Sequence, residues 1–152
     1  MNDRAKRLMS QGYCVICGAV ESMESLKGAG MFHQLCETCY LTKLAGRRLG
    51  HRSLWTALKQ RLESQCRRCA YTGIKLILGE NDSLDHIKPV HHFPNLRADP
   101  NNTEWVCREV NEMKRDRTPE EFLSIIRTIL TYRGPRVLNV DVSLHELGSR
   151  LL

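Results

Sequence analysis

The stretch Ser83-Leu-Asp-His-Ile87, followed after a polar segment by Asn102-Thr-Glu-Trp-Val-Cys-Arg-Glu-Val-Asn111-Glu-Met-Lys114, decides how this chain reads. An Asp-His dipeptide or an Asn-x-x-Lys string occurs by chance in many proteins. The ordered set Asp85, His86, Asn102 and, nine positions on, Asn111 is far more specific. Around it, the apolar runs Ile74 to Leu78 and Thr103 to Cys107 predict two strands. The Pro-bearing polar stretch from Lys88 to Asn102 excludes helix and reads as a long loop. Arg108 to Arg115 then predicts a short helix that breaks before Pro119.

Further out, Leu54, Trp55, Leu58 and Leu62 recur at helical spacing between Arg52 and Cys66, with Arg52, Lys59 and Arg61 on other faces, which predicts a basic amphipathic helix. A second helix starts at Thr118. Thr118 is its N-cap, Pro119 its first residue and Glu121 the closing member of a capping box, with Phe122, Ile125, Ile126 and Ile129 as the expected buried face. Beyond Gly134-Pro135 the tail holds an alternating stretch, Leu138, Val140, Val142 and Leu144, to which no function attaches.

Near the N-terminus, Cys14-x-x-Cys17 and Cys36-x-x-Cys39 have the spacing of a four-thiolate tetrahedral zinc site. A closed four-ligand sphere predicts a structural Zn2+ ion that stabilises a segment too poor in apolar residues to fold alone. His33 lies between the pairs as a substitute ligand that a complete cysteine set makes unnecessary. The segment Gly28-Ala29-Gly30 between the pairs predicts turns.

The chain has 152 residues, 23 Lys and Arg against 17 Asp and Glu, a net charge of +6, and 41% hydrophobic residues. That balance favours a polyanionic partner, because neutralising phosphates releases condensed counterions. No apolar run approaches the roughly 20 residues a bilayer span needs. The charged start and the seven cysteines, an odd number, fit a reducing, intracellular setting with metal-bound or packed thiols.

The motif resembles that of the HNH endonucleases, the ββα-metal family, in its variant with a terminal Asn. Cys69-Ala-Tyr-Thr-Gly73 is similar to the lead-in of HNH domains inserted in RNA-guided CRISPR effector nucleases. The resemblance spans about Cys66 to Thr131. It implies an α+β fold with a ββα-metal core and flanking helices, and a DNA endonuclease leaving 5′-phosphate and 3′-hydroxyl ends. It makes Asp85 and Asn111 ligands of a catalytic Mg2+ or Mn2+ ion and His86 the general base. Asn102 would brace the loop and orient the His86 ring, with Asn101 as the competing assignment.

Phosphodiester hydrolysis asks for the same residue types on independent grounds. An attacking water must lose a proton while charge develops on the leaving oxygen, and a neutral imidazole plus a cation meet both needs. A base of that kind predicts a cleavage rate rising through about pH 6 to 7. The departure from the usual motif is Asn111 in place of a terminal His, which leaves a neutral oxygen donor as ligand.

Lys88, Lys114, Arg115 and Arg117, with Arg52 and Lys59 on the basic helix, are expected to contact double-stranded DNA through its phosphates. His91 and His92 read as solvated loop residues. Many HNH nucleases carry a further zinc site from two flanking Cys-x-x-Cys pairs. Here Cys66-x-x-Cys69 is present, but the second pair is Cys107-x-x-Val110, so these three cysteines are expected to be packed thiols. The expected organisation is a zinc module over 1–50, a nuclease domain with its leading helix over 51–132, and a tail over 133–152. A non-catalytic zinc-containing DNA-binding protein and an HNH-type nuclease acting on RNA are the competing readings.

Overall fold

The computed structural model describes residues 2–20 and 35–137; the Gly28-Ala29-Gly30 segment, His33 and the alternating tail from Leu138 lie outside the described residues. Helix α1 (Asp3–Ser10) is capped by Asn2, whose side chain accepts from the Ala5 N–H at 2.9 Å. Helix α2 (Glu37–Arg48) begins directly after Cys36, carries Glu37 in its first turn and Arg47 and Arg48 in its last, and so suits the helix dipole at both ends. Its buried stripe is Leu41, Leu44 and Ala45.

The basic helix predicted over 52–66 is a 3-10 turn, Arg52–Leu54, leading into α3 (Trp55–Ser64). Leu58 and Leu62 are fully buried on it. The helix stops where Cys66 and Arg67 take left-handed backbone, with φ of 52° and 54°. Helix α2 packs on the 3-10 turn and on α3, across the module boundary expected at residue 50.

Strands β1 (Asp82–His86) and β2 (Thr103–Cys107) pair antiparallel, Asp82 opposite Cys107 through His86 opposite Thr103. Two strands alone are marginal, and helices cover this pair on both faces. On one face Leu84 lies opposite Trp105, whose indole is fully buried and donates through Nε1 to the Leu58 carbonyl of α3 at 3.0 Å. On the other, Ser83 and Asp85 meet helix α4 (Arg108–Lys114). Gln65 acts as a stand-in strand. Its Oε1 accepts from the Trp105 N–H and its Nε2 donates to the Trp105 carbonyl, both at 2.9 Å, pairing the outer edge of β2.

The first strand is therefore not at Ile74 to Leu78. That run makes only an isolated bridge, Lys75 with Arg68. It is apolar because Leu76 and Leu78 are buried, while its backbone is satisfied by Asn81, which accepts from Ile77 N–H at 2.7 Å and donates to the Lys75 carbonyl at 3.1 Å. Apolarity reported burial, whereas pairing fell to the more polar segment that lies beside β2.

Helix α4 ends at Arg115, which takes φ of 52°. Residues 1–116 form one unit and 117–152 another. The second contains α5 (Pro119–Val137), whose capping box is present: Thr118 N–H donates to Glu121 Oε2 at 2.8 Å, and Glu121 N–H to Thr118 Oγ1 at 3.3 Å. Its expected apolar face is only partly realised. Phe122 is buried and Ile126 half-buried, whereas Ile125 and Ile129 are exposed. Helical spacing shows which residues share a face, but not that a surface lies against all of them. Among the described residues, no helix is long and apolar enough to cross a membrane.

Candidate active site

Asp85 and His86 are consecutive on β1, so pleating turns their side chains to opposite faces. The strand ends at His86, and both residues line one cleft of about 420 Å³, together with Arg48, Arg97, Asn111 and Arg115. His86 Nε2 lies 3.2 Å from the Arg97 carbonyl. A carbonyl only accepts, so Nε2 carries the proton and Nδ1 keeps its lone pair. Burial disfavours the imidazolium and lowers the His86 pKa, against the opposing pull of the Arg97 carbonyl and Asp85.

The loop that supplies that carbonyl is held by Asn102, which is buried. Asn102 Oδ1 accepts from the Lys88 N–H at 2.8 Å, its Nδ2 donates to the Lys88 carbonyl at 3.0 Å, and its own carbonyl accepts from the Ile87 N–H at 2.9 Å. Asn101 is exposed; its N–H donates to Asp99 Oδ1 at 2.8 Å and its carbonyl accepts from Arg61 at 3.5 Å.

On the α4 side, Asn111 Nδ2 donates to Ser83 Oγ at 2.7 Å, leaving the amide oxygen as the donor atom available to a cation. Burial raises the Asp85 pKa, only partly offset by Lys114. Glu104, directly opposite in the ladder, is also raised by burial, with the Asp85 charge adding to the effect. A carboxylate and an amide oxygen on one cleft wall are oxygen donors of the kind that fit a hard divalent cation.

Lys114 is not a phosphate contact. It is fully buried, its Nζ lies 2.8 Å from Asp85 Oδ2, and it donates to the His86 carbonyl at 3.0 Å. Spacing on α4 puts Lys114 on the same face as Asn111, and that face points inward at β1. The ammonium therefore holds both the carboxylate and the strand end. Removing one partner of such a pair strands a buried charge, so Lys114→Met is expected to cost about 3–5 kcal/mol in urea unfolding. A loss near zero would show that Asp85 is neutralised by another route.

The other basic residues are dispersed. Arg115 lines the cleft; Lys88 is exposed, 5.6 Å from the Phe93 ring centroid; Arg117 falls in the second unit. Lys59 is drawn 3.4 Å from Glu37, which Arg67 also grips at 2.6 Å. The Arg52 stem lies across Gly46, where an added Cβ would stand 2.9 Å from its Cγ. His91 lines the cleft and packs edge to face against the exposed His92. Sequence reasoning missed Arg47, Arg48 and Arg97 as cleft residues. The Gly46-Arg-Arg48 run at the end of α2 was visible, but only the packing of α2 brings it to the cleft.

The Cys14, Cys17, Cys36 and Cys39 sulfurs all lie within 4.8 Å of one another, the Cys17 and Cys36 pair at 3.6 Å. A tetrahedral zinc site places its sulfurs about 3.8 Å apart, so the four-cysteine cluster is compatible with zinc. At the first pair, the Gly18 N–H donates to the Cys14 carbonyl at 2.8 Å, with Gly18 at φ of 78°. Burial pushes the Cys14 thiol up, but backbone N–H donors of Cys17, Cys36 and Ile16 outweigh it and bring it to about 6, favouring thiolate. Cys69 and Cys107 are buried while Cys66 is exposed. Among the described residues, only the first four cysteines gather as a group of three or more ligands.

A two-stranded sheet crossed by a helix, with a buried Asp, a cleft His and a helix Asn around one pocket, is the arrangement of a ββα-metal nuclease. The HNH endonuclease family model matches residues 66–117, and this segment of the chain is an HNH domain. No curated protein and no solved structure gives a significant match to the chain.

Proposed function

We propose that the protein is a divalent-metal-dependent endonuclease that hydrolyses DNA phosphodiesters. The observation that carries this reading is the His86 ring tied through Nε2 to a main-chain carbonyl beside Asp85 and Asn111. In the reaction, His86 Nδ1 accepts a proton from water, the resulting hydroxide attacks phosphorus, and the bond from phosphorus to the 3′ oxygen breaks. The 3′ oxygen takes a proton from solvent, leaving 3′-hydroxyl and 5′-phosphate ends. Asp85 and Asn111 would hold a Mg2+ or Mn2+ ion, which when bound would stabilise the charge on that oxygen. Asn102 braces both ends of the loop, through Lys88 and through the Leu96 carbonyl 3.5 Å from its Nδ2, and so keeps the adjacent Arg97 carbonyl and the ring in place. Zn2+ in the four-cysteine module is structural in this reading.

Plasmid DNA and an RNA transcript, each incubated with Mg2+, Mn2+ or EDTA, test the proposal. The expected result is metal-dependent nicking or linearisation of the plasmid. Cleavage of RNA alone would reassign the substrate, and tight DNA binding without cleavage would establish the non-catalytic reading. The pH profile provides an independent check. Because the unprotonated ring is the active form and burial depresses its pKa, the rate is expected to rise to a plateau with a midpoint below the ordinary value of about 6.5, lower than composition alone implies. A flat profile across that limb, with chemistry rate-limiting, would remove His86 as the base.

A further inference from the structure

Arg48 stands where helical spacing calls for a core residue. It follows the buried Leu44 by four positions and Ala45 by three, so it shares their inward face on α2. Its Nε is buried without a hydrogen-bond partner, and none of the ion pairs among the described residues includes it. A guanidinium is always charged and presents its donors in a planar fork. Arg48 as a whole is half-buried, but leaving its buried Nε without an acceptor is costly unless an anion from outside completes it.

The cleft is where that anion would arrive. Arg48 lines it with Asp85 and His86, alongside Arg47, Arg97 and Arg115. The acidic groups on the wall are Asp85, which already faces Lys114, and Asp116. Four guanidinium groups thus surround the base, and the one set deepest in its helix face has an unfilled donor. Phosphate oxygens match that fork two at a time.

We propose that Arg48 grips a backbone phosphate of the bound strand beside His86. This rests on the nuclease reading for the identity of the polymer, but the phosphate contact itself is separable from catalysis. The contact also links the two metal sites. Helix α2 starts at the Cys36–Cys39 pair and ends at Arg48, so one helix joins the four-cysteine cluster to the cleft.

The test measures binding of a short DNA duplex in the His86→Ala background, where cleavage is slowed, at salt concentrations from about 50 to 200 mM. Loss of one phosphate contact in Arg48→Met is expected to reduce the slope of log affinity against log salt by about 0.9. In otherwise intact protein, Arg48→Met is expected to slow single-turnover cleavage about a hundredfold, with melting temperature and zinc content unchanged. An unchanged salt slope in folded Arg48→Met overturns the proposal. Should that variant fail to fold, Arg48→Lys decides. It keeps the charge and the slope but loses the fork, so cleavage is expected to fall about tenfold, and a wild-type rate overturns the assignment. If the wild type cuts neither polymer yet the slope still falls, the nuclease reading fails and the phosphate grip stands.

Discussion

His86→Ala is expected to slow metal-dependent cleavage by about 10²- to 10⁴-fold while DNA affinity changes little. The ring is half-buried at the end of β1, and its one resolved hydrogen bond is to the Arg97 carbonyl, so truncation costs little packing. What it removes is the lone pair on Nδ1. Single-turnover cleavage with and without added imidazole separates the roles. Rescue by imidazole identifies a missing base, whereas a variant that cleaves at the wild-type rate would transfer proton abstraction to another group, His91 being the other histidine on the cleft.

The second large effect is expected at the four cysteines. Cys14→Ser with Cys36→Ser removes one ligand from each pair, and structural zinc sites contribute on the order of 10 kcal/mol of apparent binding energy to the segments they close. The double variant is expected to lose its zinc by elemental analysis and to melt at a markedly lower temperature. Cleavage should fall with it, because the first turn of α2 follows Cys36 and its last turn carries Arg47 and Arg48 to the cleft. Full zinc retention would remove the four-thiolate assignment. Zinc loss with unimpaired cleavage would show that α2 is held by other contacts, such as Tyr40 Oη donating to Asp82 Oδ2 at 2.7 Å and the Glu37–Arg67 pair.

Local chemistry made several elements legible in advance. The Thr118–Glu121 box marked the start of α5 because both halves of a capping box lie within four residues of each other. The Cys-x-x-Cys pairs identified their cluster because two such pairs have the spacing that lets four sulfurs gather around one point. The α+β class and the HNH domain followed from the order of Asp85, His86, Asn102 and Asn111. The position of the first strand did not, since Ile74 to Leu78 is more apolar than the strand that formed. The face of α5 was overread for a related reason. Period reports which residues align, and exposure of Ile125 and Ile129 depends on what lies opposite.

By itself, then, the sequence determined the residue types, their order and the short-range geometry: caps, cysteine pairs, the helix ends and the identity of the family motif. These depend on contacts a few positions apart, which the chain specifies almost without regard to the rest of the fold. Tertiary structure alone decided which cations do what. Lys114 and Arg48 are both basic residues on helices, yet one is sealed against Asp85 and the other ends on the cleft wall with an unfilled donor. The difference arises from the packing of α4 and α2 around β1. A charge settles its role by the groups it is buried beside, and those come from segments distant in sequence.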